Sequence, residues 1–249
     1  MSLFVIADLH LSTLESTNKS MEVFGAKWAD YVNRLETSWR KLVGQDDTVV
    51  VAGDISWALT LEEAKSDLRF LDSLPGKKIL LKGNHDFWWS TASKLNAYIA
   101  QHDFKTLHFL HNNAYIADQY LIMGTRGWYH DSDADGAKQA NAQYDKIVAR
   151  ECVRLALSVE AGQQLQAKED KPLIPLCFLH FPPHWCEKSC LPMLEAMKQL
   201  NIKTCYFGHI HGACPTQFEK EGIQFTLVAA DALGFVPKLI ALDAVRVDD

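Results

Sequence analysis

The chain has 249 residues, 48% of them apolar and 22% charged, with a formal charge of −6 and a pI near 5.9. That is enough chain to bury a sizeable core, and the composition is that of a globular protein, so residues 1–249 are expected to form a single domain. The acidic balance excludes a general attraction to nucleic acid or anionic membrane, so a phosphate-bearing ligand would have to be drawn by something local, such as a metal ion.

Apolar, often β-branched runs at Leu3–Ala7, Thr48–Ala52 and Lys78–Leu81 predict strands. Between them, Trp28–Val43 and Leu61–Leu74 carry apolar residues at helical spacing. That βαβαβ order predicts an α/β fold with strands covered on both faces. Further along, Tyr115–Gly124, Phe218–Val228 and Leu239–Val247 read as antiparallel strands, and Leu173–Leu179 and Thr204–Phe207 as buried ones. Residues 139–167 read as one long helix or two. No basic segment precedes a long apolar core at Met1–Asp8, and no apolar run approaches the ~20 residues of a membrane span. No export signal or membrane anchor is therefore expected. The six cysteines are expected to be reduced thiols in a cytoplasmic protein.

Most of the chemically interesting side chains directly follow an apolar run. Asp8 and His10 follow the first, Asp54 the second, and Asn84, His85 and Asp86 the third. His180 follows Cys177-Phe-Leu, and His209 and His211 follow Cys205-Tyr-Phe-Gly. In open α/β sheets ligands gather outside the carboxyl ends of the strands, so five strand ends could deliver these groups to one place. Carboxylate, imidazole and amide oxygen without thiolate suit Mn, Fe, Zn or Co. Two such ions about 3.5–4 Å apart can clamp an in-line displacement at phosphorus and supply hydroxide near neutral pH. Each piece alone has a plain structural reading: a strand-end Asp is often a cap, and a lone His in apolar surroundings is usually a core residue.

Taken in order, Asp8-Leu-His10, Gly53-Asp54, Gly83-Asn-His-Asp86, His180 and Gly208-His-Ile-His211 resemble the calcineurin-like metallophosphoesterase superfamily. The resemblance runs from residue 5 to about residue 211. It implies a four-layer α/β/β/α sandwich of two mixed sheets, with a metal site at the strand carboxyl ends. It further implies that Asp8, His10 and His211 hold one divalent ion, that Asn84, His180 and His209 hold a second, and that Asp54 bridges them. Mn is the first choice, with Fe or Zn as alternatives. His85 would act as general acid, or bond the phosphoryl group, and Asp86 would orient it. The arginine that phosphoprotein phosphatases carry shortly after Gly-Asp is missing from Gly53-Asp-Ile-Ser-Trp-Ala-Leu, and Asp86 stands where that branch has Glu. This favours small phosphomonoesters or phosphodiesters over phosphoproteins. The phrases around Gly53 and Gly83 look like an uncharacterised bacterial group of predicted phosphohydrolases. The implied reaction is in-line attack on phosphorus by hydroxide held between two metals. The contrasting expectation is a non-catalytic scaffold of the same fold that binds protein partners.

Other features carry less. Arg126 follows a strand and is a candidate for substrate phosphate, with a structural arginine beside a turn as the alternative. The Trp residues near the motifs (Trp57, Trp88, Trp89, Trp128 and Trp185) read mainly as site walls, with base stacking as the alternative. Cys186 and Cys190, with His184 nearby, lack a second ligand pair for structural zinc. Asp131, Asp133, Asp135 and Gly136 imitate the start of a calcium loop, but Ala142 stands where the bidentate Glu is needed.

Overall fold

The computed structural model describes residues 1–13, 21–128, 138–212 and 215–240, with the side chains of 138–142 left out. In chain order its elements are β1 (Leu3–Ile6), α1 (Tyr31–Leu42), β2 (Thr48–Ala52), α2 (Lys65–Ser73), β3 (Lys77–Leu81), α3 (Ala92–Gln101), β4 (Leu107–Phe109), β5 (Tyr115–Ala117) and β6 (Tyr120–Thr125). There follow α4 (Lys138–Gln166), β7 (Ile174–Leu179), β8 (His184–Trp185), β9 (Lys188–Ser189), α5 (Leu191–Gln199), β10 (Thr204–Phe207), β11 (Gln217–Lys220), β12 (Ile223–Leu227) and β13 (Lys238–Leu239).

Two mixed sheets form. The first runs β13-β1-β2-β3-β4, and only β13 is antiparallel to its neighbour. The second runs β11-β12-β10-β7-β6-β5, with a parallel centre and an antiparallel strand at each edge. Strand alternation sorts the apolar residues into layers. Val50, Ala52, Leu176, Phe178 and Tyr206 meet in the core between the sheets. Their neighbours Val49 and Val51 face α1 to α3, while Cys177, Leu179 and Phe207 face α4 and α5. The result is the expected four-layer α/β/β/α sandwich. Each fully buried Leu, Ile or Phe contributes roughly 2 kcal/mol of burial free energy, which is why the central strands are apolar on both faces.

The five strands expected to carry the site are present, shifted by at most one residue at an end, and Thr48–Ala52 and Thr204–Phe207 coincide. Two expected single strands are hairpins instead. Tyr115–Gly124 turns back at Asp118, whose φ is 53°. Phe218–Val228 turns at Glu221-Gly222, with φ of 54° and 75°; positive φ at both central positions matches the twist of a two-residue hairpin. α1 starts at Tyr31 rather than Trp28, because Trp28 ends a short 3-10 turn and Asp30 sits in the left-handed region at φ 50°. Of the expected strand Leu239–Val247 only Lys238–Leu239 is described, and its remainder lies outside the described residues.

The sheets are joined at one edge. Ala7 pairs in parallel with Ala229, donating to Val228 O and accepting from the Ala230 N–H, both at 2.8 Å. The carboxyl ends of β1 and of the β12 segment are therefore fastened together, and residue 8 emerges at that seam.

Candidate metal centre

The loops leaving β1, β2, β3, β7 and β10 all open at this edge. Asp8, His10, Asp54 and His209 adopt φ of 58°, 46°, 52° and 71°. Left-handed backbone is uncommon for residues with a Cβ and costs of order 1–3 kcal/mol, so four such residues in one cluster point to a functional constraint. The strained loops brace one another: Asp8 N–H donates to Gly53 O and His10 N–H to Asp54 O, both at 2.9 Å. The Asp8 carboxylate accepts from the His209 N–H at 3.1 and 2.9 Å, and Asp54 Oδ1 accepts from the His85 N–H at 2.8 Å. Two motif glycines permit the approach. A Cβ on Gly83 would strike the Asp54 carboxylate and backbone, and one on Gly208 would lie 2.5 Å from Asp8 Oδ2.

All seven expected ligands gather here. One donor atom from each of Asp8, His10 and His211 falls within a 4.8 Å cluster, and Asp8, Asp54 and His180 form a second. Asp54 Oδ2 lies 3.8 Å from His10 Nε2 and 3.5 Å from His180 Nε2, between the two expected ligand sets. Asp8 also reaches both clusters. The His209 ring stands 5.3 Å from that of His180.

Hydrogen bonding bears on the nitrogens offered by His180 and His211, whereas His10 Nδ1 has no hydrogen-bond partner among the described residues. His180 Nδ1 faces Ala52 O at 3.2 Å, a carbonyl that can only accept, so a ring protonated at Nδ1 would donate to it. Nε2 then carries a lone pair, yet it lies 2.8 Å from Asn84 Oδ1, another acceptor. Two acceptors held at contact distance suit a shared cation. His211 Nδ1 lies 2.9 Å from Asp231 Oδ1, leaving Nε2 facing Asp8 Oδ1 at 4.0 Å.

The electrostatics agree with this donor set. Burial, reinforced by the neighbouring Asp54, holds Asp8 well above the usual carboxylate range. Burial also lifts Asp54 to about 6, and burial with the Asp54 charge lifts Asp86 to about 7. Burial pushes His180 and His209 down to about 3 and lowers His10 as well. Crowded carboxylates beside neutral imidazoles form a set that cations would stabilise. The donor types and their placement therefore fit divalent Mn, Fe or Zn.

His85 stands beside the ligands without joining either cluster. Its Nε2 is 3.9 Å from Asp54 Oδ2, and its ring packs 4.3 Å from that of Trp57. The expectation that Asp86 orients His85 needs correction. Asp86 Oδ1 accepts from Ile55 N–H, Ser56 N–H and Trp88 Nε1–H, and Oδ2 accepts from Gly83 N–H, at 2.7–3.2 Å. It ties the β2 and β3 loops together, and His85 Nδ1 is buried with no hydrogen-bond partner among the described residues. Adjacency in sequence is not contact, because the turn sends the two side chains to different places.

Arg126 is also differently occupied. Its Nη2 lies 3.4 Å from Glu151 Oε1, and its guanidinium sits 4.7 Å from the centre of the Trp128 ring. Glu151 is fully buried and also accepts from Thr125 and Arg154, so the arginine helps neutralise a charge that would otherwise be costly. Its carbonyl accepts from His180 and Phe181 N–H, which anchors the ligand loop. Cys186, Cys190 and His184 form no metal-type cluster among the described residues; His184 bonds Ser189, and Tyr144 donates to Cys190 Sγ. The calcium-like stretch Asp131–Gly136 lies outside the described residues.

Sequence reasoning missed Asp231. It holds His211 and pairs with Lys27, and despite its burial these two hydrogen bonds draw it down to about 2. The signal was present: Val228-Ala-Ala-Asp231 repeats the pattern of an apolar run ending in an acid.

Residues 1–213 match the family profile described as Calcineurin-like phosphoesterase. The "Gene 66 protein" of Mycobacterium phage L5 is 42% identical over 52 residues, which is 21% of this chain and a quarter (25%) of that protein. Among solved structures, the phosphopantetheinyl hydrolase PptH from Mycobacterium tuberculosis is 15% identical, covers 100% of this chain and 98% of its own, and has a TM-score of 0.55. The protein AQ665 from Aquifex aeolicus is 16% identical over 96% of this chain and 95% of its own, with a TM-score of 0.48. At these identities the PptH likeness is one of fold.

Proposed function

This chain belongs to the calcineurin-like phosphoesterases, and we propose that within that family it is a two-metal hydrolase of small phosphomonoesters or phosphodiesters. The single observation that carries the reading is the convergence of Asp8, His10, Asp54, Asn84, His180, His209 and His211 on one seam, in a backbone strained to hold them. Asp8, His10 and His211 would hold one ion, Asn84, His180 and His209 the other, and Asp54 would reach both. Mn is our first choice. Such ions would supply charge neutralisation at the phosphoryl oxygens and a lowered pKa for water.

The protein's own groups do the rest. His85 stands over the ligands on Trp57, placed to give a proton to the leaving oxygen. Asp86 locks the two loops whose ends carry Asp54 and Asn84. No helix among the described residues is long and apolar enough to cross a membrane. The five described cysteines are free thiols, which supports a cytoplasmic setting. With a charge of −6, a small-molecule substrate is favoured over nucleic acid.

The test is metal analysis of the purified chain followed by assay of phosphomonoesters, phosphodiesters and cyclic nucleotides with added Mn. About two ions per chain and turnover of at least one class are expected. No bound metal under replete conditions would sink the reading.

A further inference from the structure

The groove that opens from the Asn84 and His209 side of the centre is far larger than a phosphoryl group requires. Its volume is about 830 Å³, and those two residues line it. Pockets of roughly 300–1,000 Å³ are the size that encloses a whole organic ligand. Its walls are rich in rings. From His209 the rings run to Phe181 at 4.4 Å and on to Trp128 at 4.9 Å. Trp185 enters from the small β8–β9 hairpin, whose base is closed by the Cys190 N–H on Pro183 O at 2.7 Å. Trp128 and Trp185 are half-buried and both line the groove, Trp128 with the Arg126 guanidinium 4.7 Å from its ring centre, and the charged Glu187 and Lys188 line it from the exposed tip of the hairpin. Aromatic walls favour a flat, π-bearing occupant, which gains ring contact beyond simple burial. An alkyl chain would gain only burial.

We propose that this groove receives the organic group of the phosphoester, and that this group carries an aromatic ring packed against Trp128 and Trp185. The inference rests on the phosphoesterase reading, since it takes the phosphoryl group to lie beside Asn84 and His209.

The test is calorimetric binding of three non-hydrolysable phosphonates (methyl, octyl and naphthyl) to the Mn-loaded full chain. Naphthylphosphonate should bind at least about tenfold tighter than methylphosphonate, and tighter than octylphosphonate. Trp185→Ala and Trp128→Ala should shrink the naphthyl-to-methyl ratio. Trp185→Leu, which keeps apolar bulk, should lose the ring preference while melting as the parent does. Equal binding of the three, tightest binding of octylphosphonate, or a ratio unchanged in all three variants would overturn the proposal. Phosphate release from glycerol phosphate and naphthyl phosphate, assayed in parallel, separates the two readings. Turnover without ring preference overturns only the groove assignment. Ring preference without turnover of any ester overturns the phosphoesterase reading and leaves the groove as a binding site for aromatic phosphonates.

Discussion

The two halves of the centre are built differently. The half around His10 is walled by rings: Trp57 stacks on it at 5.0 Å, Trp28 meets it edge-on at 6.1 Å, and Tyr31 Oη donates to its carbonyl at 2.7 Å. His10 is 2% exposed. The half around Asn84 and His209 instead opens into the large groove. In this half Asp8 and His10 are suited to holding an ion, because they cannot move without disturbing a packed core, while His211 is exposed and is positioned by Asp231. The open half is suited to exchanging substrate. Asp54 stands between them, and the contrast can be attacked from that residue outward.

Asp54→Ala should have the largest effect. It removes a carboxylate that faces both halves, so kcat/KM should fall by roughly 10³-fold or more, with most metal lost from both positions by elemental analysis. Loss of only one ion would show that Asp8 suffices to join the halves. His85→Ala should lower kcat by roughly 10²-fold with metal content unchanged; parallel loss of metal would place His85 among the ligands. Asp231→Asn should weaken binding of one ion by about 10–100-fold while sparing the other, because His211 is the one expected ligand that loses its carboxylate partner, Lys27 being the other residue affected. Two-step metal titration reads this directly, and equal weakening of both steps would end the distinction between the halves.

The smallest expected effect concerns pH. In excess chelator, Asp54 at about 6 and Asp86 at about 7 titrate above the ordinary carboxylate value of 3.8. The folded chain then holds protons that the unfolded chain has released, and the stability they contribute is lost as pH rises through 6 to 7. His180 and His209, depressed to about 3, act oppositely, costing stability as pH falls below 6.5. Between pH 6.5 and 8 the loss from Asp54 and Asp86 is nearly offset by the histidines, and Asp8, held well above the usual carboxylate range by burial, decides the sign, so the metal-free chain should melt at a lower temperature at pH 8 than at pH 6.5. Added Mn should remove the difference. A melting temperature that rises across that window in chelator would contradict the crowding of these carboxylates.

What could be read in the sequence was what local sterics dictate. Gly83 has to be glycine because a Cβ would collide with Asp54, so the motif and the geometry share one cause. The buried strands were legible for the same kind of reason, since two covered faces leave only apolar choices. Long-range partnerships were not legible. Asp231 meets His211 across 20 residues and Lys27 across 204, and nothing local marks either pairing. Asp86 was assigned to its sequence neighbour, whereas its partners Ile55 and Ser56 sit some 30 residues away. The hairpin at Glu221-Gly222 could have been found, because a glycine inside an apparent strand is itself a turn signal.

The seam at Ala7 and Ala229 has a consequence for how the protein is made. Its two partners, Ala7 and Ala229, are far apart in sequence, so the loop that closes between them is long and entropically slow to form. During synthesis the Asp8–His10 loop can be braced early by Gly53 and Asp54, yet the fastening at Ala7 waits until residues 228–230 have left the ribosome. A half-made chain therefore holds Asp8 and His10 against the β2 loop but lacks the seam at Ala7 and the His209 N–H that bonds the Asp8 carboxylate. Competence to capture the full metal complement should arrive late and all at once, and completion of the fold would act as the checkpoint for loading the centre.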